Sequence, residues 1–251
     1  MLASERFIFI LDQLDREGVV TLKTVCEQLN ASESTIRRDF EELEKQNKLK
    51  RVHGGAVKVS LGTTLTDSKE MSMQQKSQIN IEGKQKICRY CAQMVQDGEC
   101  IFIDGGTTLM YLIDYLEGKR VKIVTNNHFV VTKQGSTIEL INIGGHYLPN
   151  LHMTVGSIAL QTLEMFNFDY AFIGCAGIDI SENIAYTAEM DSAQIKKAAM
   201  NQALKSYLLV DSTKMDLRGF YKFSDIKRFD SVIMDDYDSN RKKPTYITVV
   251  E

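Results

Sequence analysis

The chain has 251 residues, of which 43% are hydrophobic, and a formal net charge of −3. A chain of this length can bury a sizeable core, and we expect one small domain and one of ordinary size. No stretch approaches the roughly 20 apolar residues that span a membrane, and Glu5 and Arg6 come too early for a signal peptide. The composition therefore predicts a cytoplasmic protein with no membrane partner.

Three helices are predicted at the start of the chain. Apolar residues recur at helical spacing over residues 2–16, and Gly18 ends this pattern. Thr21 offers an N-cap oxygen to a second, shorter helix that ends near Asn30. Ser32 can cap a third helix. This helix-turn-helix layout is typical of proteins that place the start of the last helix in the DNA major groove.

The third helix has an apolar and a polar side. Arg can donate two hydrogen bonds to guanine, and Ser or Thr can bond to bases or phosphates, so the polar side suits DNA reading. The inward residues are Ile36, Phe40 and Leu43, and the outward ones are Ser34, Arg38 and Glu41, with Arg37 at the flank.

A basic hairpin is predicted next. Residues 49–52 and 56–58 read as two short strands around a Gly-Gly turn. Lys48, Lys50, Arg51 and Lys58 would face phosphates and contribute affinity rather than sequence choice. Residues 1–58 carry 10 basic and 10 acidic side chains, so net charge alone does not indicate DNA binding, and an ordinary helical domain stays open.

Cysteine usage favours a reducing compartment and indicates no cofactor. Cys88 and Cys91 form a C-x-x-C pattern within a helix-like run, without a second pair or a histidine cluster to complete a metal site. The other three cysteines lie in apolar surroundings and are expected in the core. We therefore assign no metal ligand.

Beyond a polar linker at residues 59–80, apolar runs alternate with helix-like stretches. This order predicts an α/β domain with a mostly parallel sheet over residues 81–251, in which ligands bind at the carboxyl ends of the strands. The predicted strands, each followed by a polar or glycine-rich turn, are 100–103, 121–124, 138–143, 170–173 and 207–210, and the predicted helices are 81–96, 107–117, 156–165 and 189–204.

The turn after the first of these strands is suited to an anion. Gly105 and Gly106 let the backbone approach a ligand, and Thr107 and Thr108 open the following helix, whose N–H groups and hydroxyls suit a phosphate. The G-x-x-x-x-G-K nucleotide pattern is absent, and a purely structural Gly-Gly turn remains an alternative.

Two blocks of the first domain resemble the DeoR-type bacterial transcription regulators. They are residues 32–40, preceded by Arg6, and residues 51–56. The resemblance implies a winged helix-turn-helix domain at residues 1–58 that binds double-stranded operator DNA. Asp39 is expected to position an arginine or a backbone group, since a carboxylate is repelled by phosphate. The DNA-contact residues are expected to be Ser34, Thr35, Arg37 and Arg38 of the recognition helix and Lys50, Arg51 and His53 of the wing.

Lys84, ahead of the Asp97-Gly98 turn, and the strand-end motifs from residue 104 to residue 214 resemble the effector domain of the same family. That domain is similar in fold to ribose-phosphate isomerases, and the resemblance implies a pocket for a phosphorylated sugar. Lys196 and Lys214 could otherwise be ordinary solvated lysines. The expected effector-binding residues are Asp104, Gly105, Gly106, Thr107, Thr108, Thr125, Asn126, Asn127, Gly174, Glu189, Lys196, Asp211 and Lys214.

Two positions depart from the usual family pattern. In the segment 176–187, family members more often carry a glycine before the final threonine-rich turn. Asn183 is expected to supply that turn here, because Asn tolerates positive φ. The segment after Thr187 has one acid fewer than is common, which leaves Glu189 and Asp191 as candidates for one role.

The favoured function is a transcription regulator, a repressor of a sugar-utilisation operon that a phosphorylated sugar releases from DNA. A homodimer or homotetramer is expected, with half-sites about one helical turn apart or a multiple of it. One alternative is an isomerase in which Glu189 moves a proton and Lys196 stabilises an enediolate, although no catalytic residue is assigned. Another is a ligand-independent DNA-binding module whose second domain only oligomerises.

Overall fold

The computed structural model describes residues 2–46, 48–52, 54–58, 64–66, 71–133, 137–238 and 241–251. The chain divides into two compact units, one of Met1–Thr63 with Gln74–Glu82 and one of Thr64–Met73 with Gly83–Glu251. The boundaries at 1–58, 59–80 and 81–251 stay a prediction.

The first unit contains three helices and a small antiparallel sheet of order β1-β3-β2. Ile10, Val25, Ile36 and Leu43 pack together at its centre, fully buried. The elements are α1 (Ala3–Glu17), β1 (Val19–Thr21), α2 (Leu22–Leu29), α3 (Glu33–Lys45), β2 (Leu49–Val52) and β3 (Gly55–Lys58).

The helix ends follow the predicted caps. Gly18 takes a left-handed φ of 74° after α1, and Asn30 takes a φ of 47° after α2. Thr21 Oγ1 accepts from Thr24 N at 3.1 Å, and Ser32 Oγ accepts from Thr35 N at 3.3 Å. The predicted limits of α1 and α2 and the predicted start of α3 are therefore confirmed to within a residue or two.

Strand β1 was not predicted, and it turns the expected two-stranded hairpin into a three-stranded sheet. Val20 pairs with Ala56 and Thr21 pairs with Gly55. A Cβ on Gly55 would lie 2.2 Å from Val20 O, so the close approach of β1 requires glycine there. A three-residue strand is too short to show an alternating pattern in the sequence.

The remaining elements alternate helices with strands. The helices are α4 (Met73–Ser77), α5 (Ile81–Met94), α6 (Leu112–Tyr115), α7 (His128–Val131), α8 (Ser157–Leu163) and α9 (Met190–Asn201). The strands are β4 (Cys100–Ile103), β5 (Lys122–Thr125), β6 (Glu139–Asn142), β7 (His146–Leu148), β8 (Met153–Val155), β9 (Phe168–Ile173), β10 (Gly177–Asp179), β11 (Ile184–Thr187), β12 (Ala203–Val210), β13 (Tyr221–Asp225), β14 (Ser231–Met234) and β15 (Ile247–Val249).

A seven-stranded parallel sheet forms the centre of the second unit, within the part of the chain that the structure describes. Its order is β15-β14-β12-β9-β4-β5-β6, and each neighbouring pair is parallel. Alternate residues of β4 enter different cores, Phe102 on one face and Ile101 and Ile103 on the other. Both faces are therefore covered, as parallel sheets require. The predicted fold class, a winged helix-turn-helix domain followed by a larger α/β domain with a mostly parallel sheet, is confirmed.

Several elements differ from the predictions. The helix predicted at 107–117 is a 3-10 turn, Leu109–Tyr111, followed by α6, and the helix predicted to end at residue 204 ends at Asn201. Ala203 and Leu204 instead begin β12, because pairing with β9 overrides their helical propensity. Strands β7, β8, β10, β11 and β13 to β15 were not predicted, and α4 lies within the predicted linker.

The predicted turn at Asn183 is confirmed. Asn183 has a φ of 58° and lies between the paired strands β10 and β11. Its side chain also accepts a hydrogen bond from Tyr246 Oη at 2.9 Å. An asparagine therefore provides the left-handed conformation at this turn.

Candidate functional site

The recognition helix α3 presents three of its predicted DNA-contact residues to solvent. Ser34, Arg37 and Arg38 are exposed, and Thr35 is half-buried. The hydroxyls of Ser34 and Thr35 lie 3.0 and 2.8 Å from Ser32 Oγ, so the N-cap orients both of them. Arg37 Nη2 lies 3.4 Å from Glu33 Oε2 in a pair that is exposed on both sides. An exposed pair of this kind is weak enough to exchange for a DNA contact.

Asp39 holds an arginine of α1 and does not face solvent. Arg6 Nε donates to Asp39 Oδ2 at 2.5 Å, and Arg6 Nη2 donates to Asp39 Oδ1 at 2.8 Å. Hydrogen bonding to Asp39 raises the pKa of the Arg6 guanidinium. The bidentate pair fixes α3 against α1. The prediction that Asp39 positions an arginine is confirmed.

The wing is joined to the recognition helix by Arg51. Its backbone N donates to Glu44 Oε1 at 2.7 Å and its Nε donates to Glu44 Oε2 at 2.6 Å. Lys50 is half-buried on the same strand, β2. His53 lies outside the described residues, as does the side chain of Lys58.

At the carboxyl end of β4, Asp104 joins three elements of the second unit. Its Oδ2 accepts from Gly174 N, at the end of β9, at 2.9 Å. The same oxygen is paired with Lys196 Nζ on α9, and both side chains are buried. Its other oxygen, Oδ1, is buried and has no hydrogen-bond partner among the described residues. A buried acceptor without a donor is costly, so this oxygen is suited to a ligand donor.

The side chains that follow β5 support the glycine turn. Asn127 Nδ2 donates to Asp104 O at 3.2 Å and to Gly106 O at 3.0 Å. Thr125 Oγ1 donates to Ile103 O at 2.6 Å, and Asn126 Nδ2 donates to Thr154 O at 3.0 Å. The side chains of these three predicted effector residues are therefore hydrogen-bonded mainly to backbone carbonyls near neighbouring strand ends.

Side chains pack closely against Gly105 and against Gly174, which lies beside the turn. A Cβ on Gly105 would lie 2.5 Å from Met153 Cε, and one on Gly174 would lie 2.9 Å from Leu109 Cδ1. Gly106 has a φ of 135°, which side-chain-bearing residues rarely adopt. Thr107 and Thr108 follow directly and are both buried. The turn is thus closely packed.

A second buried carboxylate, Asp211, ends β12. Thr108 Oγ1 donates to its Oδ2 at 3.5 Å, and Thr213 donates to its Oδ1 through both N, at 3.2 Å, and Oγ1. Burial works to raise the pKa of Asp211, but nearby Lys84 and Lys214 and the Thr213 bonds outweigh it, and the pKa is lowered. Asp211 is therefore ionised at neutral pH.

Lys84 was absent from the predicted site, although it is one of the largest fully buried side chains among the described residues. It lies on α5 one helical turn before the buried residues Ile87 and Cys88, with Cys91 a turn further on. The sequence contains a signal for this residue, because Lys84 occupies a position of the helix that is otherwise apolar. Lysines are almost never fully buried without a partner, so a lysine at such a position indicates a buried polar site.

Cys175 follows β9 and Gly174, and four charged groups affect the pKa of its thiol. Loss of hydration raises the pKa of this thiol to about 12, which keeps it protonated. The ammonium groups of Lys214 and Lys196 oppose the rise in pKa. The carboxylates of Asp211 and Asp104 add to it. Asp104 and Asp211 directly follow β4 and β12, and Lys196 is paired with Asp104, so these predicted effector residues lie at the carboxyl edge of the sheet.

Glu189 lies at the N-cap of α9, half-buried, one position before the helix that carries Lys196. Lys196 is ion-paired with Asp104, so its ammonium group is turned toward the end of β4. Within the described ranges, no group of three or more His, Cys, Asp or Glu side chains could hold a metal ion. No helix of the described chain is long and apolar enough to span a bilayer.

Two family descriptions match the chain. The DeoR-like helix-turn-helix domain matches residues 6–60, and the DeoR C terminal sensor domain matches residues 79–236. The uncharacterized HTH-type transcriptional regulator FruR of Bacillus subtilis (strain 168) is 34% identical over 90% of this chain and 88% of its own. The lactose phosphotransferase system repressor of Lactococcus lactis subsp. lactis is 33% identical over the same shares. The repressor of that name from Streptococcus mutans is 29% identical over 100% of both chains.

Among solved structures, ribose 5-phosphate isomerase A of Methanocaldococcus jannaschii is 18% identical, with a TM-score of 0.40 over 54% of this chain and 55% of its own. The eIF2B delta protein of Chaetomium thermophilum is 17% identical, with a TM-score of 0.46 over 61% of this chain and 55% of its own. The family descriptions and the relatives that extend over most of the chain show that it belongs to the DeoR family of DNA-binding transcription regulators.

Proposed function

We propose that the protein represses a sugar-utilisation operon in the cytoplasm and is released from its operator by a phosphorylated sugar. It binds double-stranded DNA as a homodimer or homotetramer, and it acts as a regulator rather than an enzyme. Relatives named lactose phosphotransferase system repressor support the assignment to sugar metabolism.

The observation that carries the proposal is the buried Asp104–Lys196 pair at the end of β4, in which Asp104 Oδ1 has no hydrogen-bond partner among the described residues. Asp211 and Lys214 follow β12 at the same edge of the sheet. The neighbouring turn, with its two glycines, supplies backbone groups close to these charges. Lysines suit a phosphate, and a carboxylate oxygen without a donor suits a sugar hydroxyl. The combination favours a ligand that carries both groups.

The DNA-binding part of the proposal rests on the exposed side of α3. Arg37 and Arg38 are assigned to base contacts, together with the hydroxyls of Ser34 and Thr35. Lys50, Arg51 and His53 of the wing are assigned to phosphates. The Arg6–Asp39 pair supports this assignment, because it holds the reading helix in a fixed orientation.

The first test is a thermal-shift screen of the full chain against sugar monophosphates and bisphosphates, since a ligand that binds only the native state raises Tm. The compound with the largest shift is then added to the complex between the protein and a duplex selected from a random library. We expect that compound to weaken DNA binding, and a panel without any shift would contradict the proposed effector class.

Thr107→Val should abolish the response to the sugar phosphate and leave DNA binding intact. Valine has nearly the same shape as threonine, so the substitution removes the buried hydroxyl beside the turn and keeps the packing. Thr132→Val, at an exposed position after α7, is the matched control. Normal release of Thr107→Val by the sugar phosphate would contradict the site. Isomerisation of any sugar phosphate in the panel by the purified chain would favour an enzyme instead.

A further inference from the structure

Leu65, in the segment between the two predicted domains, is hydrogen-bonded through its backbone to a loop of the second unit. Leu65 N donates to Arg218 O and Phe220 N donates to Leu65 O, both at 2.8 Å. Leu65 and Gly219 form a parallel β-bridge, and Leu65 itself is half-buried. One residue of the predicted linker is therefore part of the second unit's hydrogen-bonded framework.

The loop that holds Leu65, residues 215–220, begins directly after Lys214. Met215 forms a β-bridge with Ile178, and Asp216 N donates to Ile178 O at 2.9 Å. Ile178 lies on β10, four residues after Gly174. The loop is thus tied at its start to two segments that carry predicted effector residues.

Two glycines show how tightly the loop is packed. A Cβ on Gly177 would lie 2.1 Å from Leu217 O. A Cβ on Gly219 would lie 2.8 Å from Thr187 O, at the end of β11, two residues before Glu189. Close-packed contacts transmit displacement because no free volume absorbs it. A shift at the ends of β9, β11 or β12 must therefore move the loop that holds Leu65.

We propose that Leu65 is the contact through which the effector site controls the linker to the DNA-reading unit, an inference that rests on the proposed function. A sugar phosphate at Asp104, Lys196 and Lys214 displaces the loop 215–220 and changes its pairing with Leu65. The linker is then constrained differently, which alters the population of DNA-competent arrangements. By reciprocity, DNA binding changes the affinity for the sugar phosphate through the same contact.

The test compares Leu65→Pro with Leu65→Ala in the full chain. Proline has no N–H, so Leu65→Pro loses the bond to Arg218 O, whereas Leu65→Ala keeps both backbone bonds and loses only side-chain packing. The probes are the sugar monophosphates and bisphosphates of the thermal-shift panel, with a duplex selected by the wild-type chain. The measurements are Tm shift by each sugar phosphate and the Kd for the duplex with and without it.

We expect Leu65→Pro to bind both the sugar phosphate and the duplex, while the sugar phosphate no longer changes its Kd for DNA. Leu65→Ala should keep the wild-type ratio of the two Kd values. If the sugar phosphate raises the Kd of Leu65→Pro for DNA by the same factor as in the wild-type chain, the role of Leu65 is overturned and the proposed function stays intact. No Tm shift of the wild-type chain with any probe would overturn the proposed function itself, and this inference with it.

Hydrogen exchange on the wild-type chain tests the same inference without a substitution, and decides it if Leu65→Pro does not fold. The amides of Leu65 and Phe220 are both donors in the pairing. Faster or slower exchange of these two amides on addition of the sugar phosphate supports the inference. Unchanged exchange, in a sample whose Tm shift shows that the sugar phosphate is bound, would overturn it.

Discussion

The two units use charge in opposite ways. On α3 the ion pairs Arg37–Glu33 and Lys45–Glu41 are exposed, with side chains 47–68% accessible. At the carboxyl edge of the parallel sheet, the Lys196–Asp104 pair is 4% and 1% accessible. Exposed pairs contribute little to stability and can be exchanged for phosphates or bases, whereas a buried pair is tied to the packing around it. DNA can therefore replace the ion pairs on the candidate DNA-reading side of α3, whereas the candidate effector site is part of the core.

Lys196→Met is expected to cause the largest loss of stability. It leaves the Asp104 carboxylate buried without its ammonium partner, which should cost about 3–5 kcal/mol of unfolding free energy. Lys197→Met, at the next, exposed position of α9, is the matched control and should stay near the wild-type value. Urea denaturation followed by circular dichroism measures both. Equal stability of the two variants would show that the buried pair contributes no more than a surface charge.

Asp39→Asn tests the exception in the first unit, where an ion pair is largely buried. Loss of the bidentate bond to Arg6 should lower the unfolding free energy by about 1.5–3 kcal/mol, the usual worth of hydrogen bonds to charged groups. Glu41→Gln breaks an exposed pair on the same helix and should have a much smaller effect. If urea midpoints of the two variants coincide, the Arg6–Asp39 pair does not hold α3 in place.

Arg37→Ala should leave stability nearly unchanged and weaken operator binding by about 1–3 kcal/mol, if Arg37 makes a bidentate contact to guanine. Arg16→Ala removes the same charge from an exposed pair on α1 and controls for the net electrostatic effect. Both are measured by fluorescence anisotropy at one fixed salt concentration, because affinity for DNA depends on salt. Equal affinities of the two variants would remove Arg37 from base reading.

The smallest expected effect is on acid stability. The pKa of Asp211 is lowered from 3.8, so its contribution to stability is present above that pH and is lost as pH falls through the folded-state pKa. Asp211→Asn should therefore lose Tm less steeply in this acid range than the wild-type chain. Asp216→Asn, in an exposed pair with Arg241, is the control. An acid profile of Asp211→Asn parallel to that of the wild type would contradict the role of Asp211.

The same contrast explains what could be predicted. The helices of the first unit, their caps at Thr21 and Ser32 and the inward face of α3 follow from local patterns, because caps and helical periodicity act over a few residues. The strand ends of the second unit were also found, since each apolar run stops at a polar turn. The contacts within the candidate site could not be predicted, because Asp104 contacts Lys196 only after β4, β9 and α9 have packed together.

The sequence alone therefore determined the division of roles: a local helix-turn-helix segment, an α/β chain, and polar residues at strand ends. Tertiary structure decided that Lys84 is buried near Asp211, that Leu65 pairs with the loop after Lys214, and that Asn126 and Asn127 support a turn. These contacts join residues far apart in the chain. No local propensity encodes them, since they form only after the strands have paired and the loops between them have packed.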